Sequence, residues 1–185
     1  MRPLLLLCLV ATFTVFSSCE ELKEALKVDF DFEGETLHIE IDPITNTEEV
    51  QILGEENYEF DLDKIVEEYA PSFNISNIRE VNLKKIEIEL LNGDDDNNFQ
   101  NLELIYAEVY ANGMVEKIVA EKMDIPDVKT MKLTIPVKDG SVNVKDFATK
   151  QSFGYKVKAK LRKSTTKTLE AKVTADYNFV VGVEQ

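Results

Sequence analysis

The chain of 185 residues has no tryptophan, one histidine, two cysteines, seven glycines and five prolines. Each scarcity removes a class of chemistry. One histidine cannot build a two-histidine metal site, and His38 has no nucleophile elbow with which to form a Ser-His-Asp triad. It sits on the polar side of its segment, beside Glu40, and reads as a solvated residue. Few glycines and prolines exclude a collagen-like or low-complexity polymer. Positive charge is also in deficit, with 21 Lys and Arg against 35 Asp and Glu and a net charge of −14. Nucleic acid is not an expected partner of so acidic a chain. Carboxylates this abundant carry no information about glycosidase-type chemistry, and neither enzymatic activity nor a cofactor is expected.

What is present begins with an apolar run. Arg2 is the only charge before Glu20, and Leu4 to Phe16 is apolar except for two threonines. As a helix this run rises about 20 Å, short of the ~30 Å hydrocarbon core, so a cleaved signal over residues 1–18 is expected. The run ends in Phe16-Ser17-Ser18-Cys19. It resembles the signals of Gram-negative lipoproteins, particularly those of the Bacteroidetes, with Phe16 standing where Leu, Val or Ile is commoner. The resemblance implies attachment of a diacylglyceryl group to the Cys19 thiol and then cleavage directly before it, acyl chains such as palmitate holding the protein on the outer membrane. Ordinary secretion with Cys19 as a free or disulfide-bonded thiol is the alternative. Cys8 would be discarded with the signal, leaving no disulfide or thiolate zinc site. Glu20 and Glu21 resemble the acidic stretches that export such lipoproteins to the cell surface, although Lys23 follows the acids instead of preceding them. The periplasmic and surface faces both stay open.

Residues 19–26 read as a tether and 27–185 as one domain. Turn residues recur about every ten positions, at Gly34, Asn46, Gly54, Asn92-Gly93, Asn112-Gly113 and Asp139-Gly140. Between them the apolar period is two: Leu37, Ile39 and Ile41 share one face, as do Phe153, Tyr155, Val157, Ala159 and Leu161. The expected class is all-β, an antiparallel β-sandwich of immunoglobulin or fibronectin type with one or two short helices. Leu169 to Phe179 alternates likewise, so 163–167 reads as the loop of a long C-terminal hairpin. A phase change at Lys84-Lys85 predicts a bulge. Leu102 to Ala111, apolar at both parities, predicts a central strand covered on both faces. Leu62, Ile65, Val66 and Tyr69 form a helical stripe capped by Asp61 and ended by Pro71, and a helical turn is expected at Asn143 to Ala148. The order of elements from Val81 to Val157 resembles the WHy, or late-embryogenesis-abundant type-two, β-sandwich. That family's Asn-Pro-Asn is replaced by Asn92-Gly93-Asp94.

Three clusters are candidates for binding. Asp94, Asp96 and Asn98 occupy alternate positions of a calcium loop, but Phe99 and Ile105 stand where Gly and Glu are needed, so no metal site is expected. Tyr58, Phe60, Tyr69 and Phe73 would supply a small sugar-stacking platform, and glycan binding is an alternative function. Finally, residues 128–185 carry 12 Lys and Arg against 5 Asp and Glu. Within them Lys156, Lys158, Lys160 and Arg162 recur at every second position and form one row along a strand, with Lys172 expected beside it. That row either contacts an anionic partner, lipopolysaccharide phosphates or an acidic envelope protein, or is complemented by acids from elsewhere in the fold. The expected function is a membrane-anchored binding or assembly module; a structural stress-related domain is what the WHy resemblance implies.

Overall fold

The computed structural model describes residues 26–34, 36–150 and 152–183. Cys8, Cys19, the signal and nearly all of the tether lie outside the described residues. Ten strands form: β1 (Lys27–Glu33), β2 (Leu37–Ile41), β3 (Gln51–Tyr58), β4 (Ile78–Leu90), β5 (Leu102–Ala111), β6 (Lys117–Lys122), β7 (Lys132–Pro136), β8 (Val142–Asn143), β9 (Phe153–Leu161) and β10 (Leu169–Gly182). The helices are α1 (Leu62–Tyr69) and α2 (Lys145–Ala148). Among the described residues no helix is long and apolar enough to cross a membrane.

The expected antiparallel β-sandwich forms. One sheet runs β1-β10-β4-β7, with β2 continuing β1 along the same edge of β10 and β8 continuing β7 along β4; the other runs β3-β9-β5-β6. Every pair is antiparallel. The innermost hairpin is β5-β6, closed at Asn112-Gly113 with Gly113 at φ 77°. Working outward, β4 meets β7 and β8, β3 meets β9, and β1 with β2 meets β10. This is a single eight-position hairpin wound over two sheets, the jelly-roll order. Within the sandwich class it differs from an immunoglobulin-type arrangement, because all but one of the successive strand positions lie in opposite sheets.

The winding overturns the expected C-terminal hairpin. β9 pairs with β3 and β5, while β10 pairs with β1, β2 and β4, so residues 163–168 cross from sheet to sheet. Alternation had identified the inward face of each strand correctly, but a period of two says nothing about which strand lies alongside. Lys172 consequently belongs to the opposite sheet from the lysine row.

Inward faces make one core, including Val81, Leu83, Ile86 and Ile88 of β4, Ile105, Ala107 and Val109 of β5, and Tyr177, Phe179 and Val181 of β10. The predicted bulge is present: Lys85 pairs with Asp176 and Leu83 with Tyr177, leaving Lys84 without an opposite residue and returning Ile86 to the core. Leu102 to Ala111 differs from expectation. Its outward side chains are only half-buried, with no third layer over them. At the break between β1 and β2, the Gly34 amide donates to Ala175 O at 2.9 Å. A Cβ there would strike the Tyr58 hydroxyl and that carbonyl.

Both helices close the sandwich. In α1, Asp61 Oδ1 accepts from the Lys64 amide at 3.1 Å, and Leu62, Ile65 and Val66 are buried. Tyr69, expected in the core stripe, is 42% exposed and stacks on Phe30 with centroids 4.8 Å apart. In α2 and its approach, Val144, Phe147 and Ala148 are buried as expected.

Val173 is buried against the facing sheet, whereas Lys172 points outward to Glu89 at 3.0 Å. Val173→Asp is expected to cost several kcal/mol by burying an unpaired charge, and Lys172→Gln under about 1 kcal/mol. Chemical denaturation of both variants checks this; equal losses would contradict the register.

Candidate functional site

The lysine row lies on the outer face of β9, midway across its sheet. Its acidic partners come from both neighbours and from the loops beyond them. Lys156 Nζ is 2.7 Å from Glu116 and 3.6 Å from Glu55, Lys158 is 2.6 Å from Glu108, and Lys160 is 3.0 Å from Glu103. The Lys158 approach is an ion pair by distance, without good hydrogen-bond direction at Glu108 Oε2. Arg162 lies 3.7 Å from Asp127 and donates through Nη2 to Ile125 O at 2.6 Å. Lys156 also stands 5.4 Å from the centre of the Tyr110 ring and Lys158 5.9 Å from that of Tyr106. The half-buried outer residues of β5 are thus covered by lysine stems rather than by another layer.

Each member of the row is therefore complemented from within the fold. The Lys156 side chain is only 13% exposed and that of Lys158 21%, so the row offers an outside anion little free charge. Hydrogen bonding to Glu116 holds the Lys156 ammonium above its ordinary pKa, and the close Glu108 carboxylate does so for Lys158. Reciprocally, Lys156 holds Glu116 below the usual carboxylate range. On the other sheet Lys132, with Lys85, lowers Glu87.

The Asp94 to Asn98 loop has a structural job that its composition concealed. Asp94 pairs with Lys167 at 2.7 Å, Asp96 with Lys163 at 3.0 Å, and Asp95 with Lys129. Asn97, Asn98 and Asn101 are each only 2% exposed. Asn97 Oδ1 accepts from the Thr166 amide at 2.7 Å, and Asn101 Nδ2 donates to Asp96 O at 2.7 Å and Ser164 O at 3.2 Å. These asparagines fasten the crossover between β9 and β10 and plug one end of the sandwich. Lys167 first, then Asn97, holds the Asp94 carboxyl far below its ordinary range.

The opposite end is aromatic. Tyr58 is buried, and Phe60 is packed against the core with its ring 4.9 Å from both Tyr58 and Tyr177. The expected sugar platform is thus largely spent on the interior, with Phe73 also packed against the core and Tyr69 the most exposed of the four. Tyr177 donates from its hydroxyl to that of Tyr155 at 3.0 Å, and burial pushes both phenols up. His38 is exposed on the outer face of β2, opposite Lys172.

Two consequences are measurable. Asn97→Ala removes a buried side chain that accepts from the Thr166 amide at 2.7 Å and donates to Asp94 at 2.9 Å, and is expected to cost about 1–3 kcal/mol, read by denaturant unfolding. Glu87, Asp94 and Glu116 have depressed folded pKa values, so their stabilisation is complete above the unfolded carboxylate range of about 4 and is lost as pH falls through the lower folded values. The melting temperature should fall as pH drops below about 4; a level melting temperature down to pH 2 would contradict the stabilising role of these three carboxylates.

No family model matches the chain, and no curated protein matches it. Among solved structures it is similar to a decameric BFDV capsid protein, at 12% identity and a TM-score of 0.32 over 82% of this chain and 99% of that one. A 60-mer form of the BFDV capsid protein gives 13% identity and a TM-score of 0.28 over 86% of this chain and 97% of that one.

Proposed function

We propose that the chain is a lipoprotein of the outer membrane whose β-sandwich is a non-enzymatic binding or assembly module for a protein partner in the cell envelope. The observation that carries the anchor is Phe16-Ser17-Ser18-Cys19 at the end of a short apolar run, followed within eight residues by the first strand. Its thiol is the lipid attachment point, and the few residues after it are enough to link anchor to domain.

An apolar margin supports the binding role. β6 is an edge strand, and on it or close by in the chain Val115, Ile118, Met123 and Val128 are 88%, 41%, 57% and 65% exposed. Apolar side chains gathered on a sheet edge favour protein contact. A protein partner is preferred to a glycan because Tyr58 and Phe60 face inward, and to a polyanion because the β9 row is internally paired.

Metabolic labelling with an alkyne fatty acid tests the anchor: label is expected on the wild type and lost in Cys19→Ala, and undiminished label would sink it. A photo-crosslinking residue at Met123 in intact cells tests the module. A discrete protein adduct that is lost in Ile118→Asp is expected, and the absence of any adduct would count against a protein partner.

A further inference from the structure

The start of β1, the end of β10 and a guanidinium without hydrogen-bond partners at Nε and Nη2 meet at the aromatic end of the sandwich. Lys27 pairs with Gly182 and Ile78 with Val181, so β1, β10 and β4 end side by side. Leu26 directly precedes β1, Val183 directly follows β10, and Ile75 lies just ahead of β4; they are 45%, 46% and 41% exposed. Tyr69, on α1, stacks over Phe30 of β1 at the same end. Arg79 is the extra residue at the β4 bulge and lies across Gly182, where a Cβ would stand 3.2 Å from both Nε and Cζ. Its Nε and Nη2 are shielded from water and have no hydrogen-bond partner.

We propose that this end of the sandwich rests on the phospholipid leaflet that holds the acyl chains of Cys19, with Leu26, Ile75 and Val183 in the headgroup region and Arg79 taking a lipid phosphate. The inference rests on the lipoprotein reading and adds an orientation to it. Six residues lie between Cys19 and Leu26, a reach of at most about 25 Å over the seven steps. The fourteen residues of β10 make the domain about 43 Å long from that end to the other. The tether therefore holds the Leu26 end near the bilayer and excludes the inverted pose with the asparagine plug down, in which Leu26 would stand about 43 Å from the lipid. Turning the Arg79 fork toward a phosphate gains charge-assisted hydrogen bonds and breaks none at Nε or Nη2. Tyr69 is an aromatic of the kind suited to the headgroup level. The exposed carboxylates of Glu67 and Glu68 on α1 oppose a strongly anionic surface, so the fitting occupant is zwitterionic phospholipid.

The test uses the full lipidated chain in vesicles of phosphatidylethanolamine and phosphatidylcholine containing a lipid with a nitroxide high on its acyl chain. A fluorophore is attached to Ser76→Cys in one sample and to Leu91→Cys, at the far end, in another. Quenching several-fold stronger at position 76 than at 91 is expected, falling to the level of 91 when Leu26→Glu and Ile75→Glu are combined. Arg79→Gln, a milder change, should give a partial fall. In each case flotation with the vesicles should persist. Equal quenching at both positions in floated protein, or quenching at 76 indifferent to all three substitutions, would overturn the orientation while leaving the lipoprotein reading intact. Failure of the wild type to float would remove that reading and the orientation with it.

Discussion

Everything in this structure depends on strands finding partners far away in sequence. Apart from the two contacts of Lys85, each ion pair among the described residues joins a cation from residues 129–172 to a carboxylate from residues 55–127. The segregation of charge along the chain is thus the counterpart of the winding, in which an acidic first half folds against a basic second half. Pairs this exposed are each worth about 0–1 kcal/mol, so the apolar interior supplies most of the stability. What the charges supply is choice. Had β10 displaced either neighbour of β9, the lysine row would lie beside Lys172, and either Glu55 of β3 or Glu103 and Glu108 of β5 would lose their cations.

The two ends of the sandwich solve the closure problem with opposite chemistry. Chain crossing between sheets carries backbone polar groups over the edge of an apolar core, and those groups need partners. At one end asparagine side chains supply them, because an amide both donates and accepts: Asn97 accepts from Thr166 while Nδ2 donates to Asp94 at 2.9 Å. The adjacent Ile44 and Thr165 exchange two further bonds, at 2.8 and 3.0 Å. At the other end α1 and a set of edge-to-face rings seal the interior, and the Tyr155–Tyr177 contact satisfies the polar atoms that those rings bring with them.

Faces were legible in the sequence and partners were not. Alternation correctly assigned Val173 inward and Lys156 outward, and the change of parity located the bulge at Lys84. The cap at Asp61 and the stop at Pro71 framed α1. All of these are local signals. The hairpin between β9 and β10 was misread because adjacency in sequence favours a short connection, whereas the partner depends on charges some fifty to a hundred residues upstream. Asn97 and Asn98 stood in a segment weighed as a calcium loop, and Asn101 was not singled out, since residue type says nothing about burial. The one available hint was amides clustering immediately after three aspartates, where acceptor-only carboxylates could not have bonded both backbone amides and carbonyls. Tyr58 and Phe60 were missed for a related reason: an aromatic pair beside a helix reads the same whether it faces a sugar or a core.

A wound hairpin also imposes a condition on anything attached to its first strand. The first and last strands are necessarily partners, so the segment entering β1 and the segment leaving β10 emerge together, here at Lys27 and Gly182. A lipid carried a few residues before β1 is then more than a tether to a point. Under the lipoprotein reading it excludes the inverted orientation, because the outermost strand pair runs the length of the domain and that length exceeds the tether's reach. Under the lipoprotein reading, the aromatic end and Arg79 face lipid, while the asparagine plug faces away. The β6 edge belongs to the sheet that contains neither terminal strand, so under the same reading contact of the Leu26 end with lipid leaves that edge available to a partner. The proposed anchor and the proposed binding surface are then kept apart by the same winding that joins acidic strands to basic ones in space.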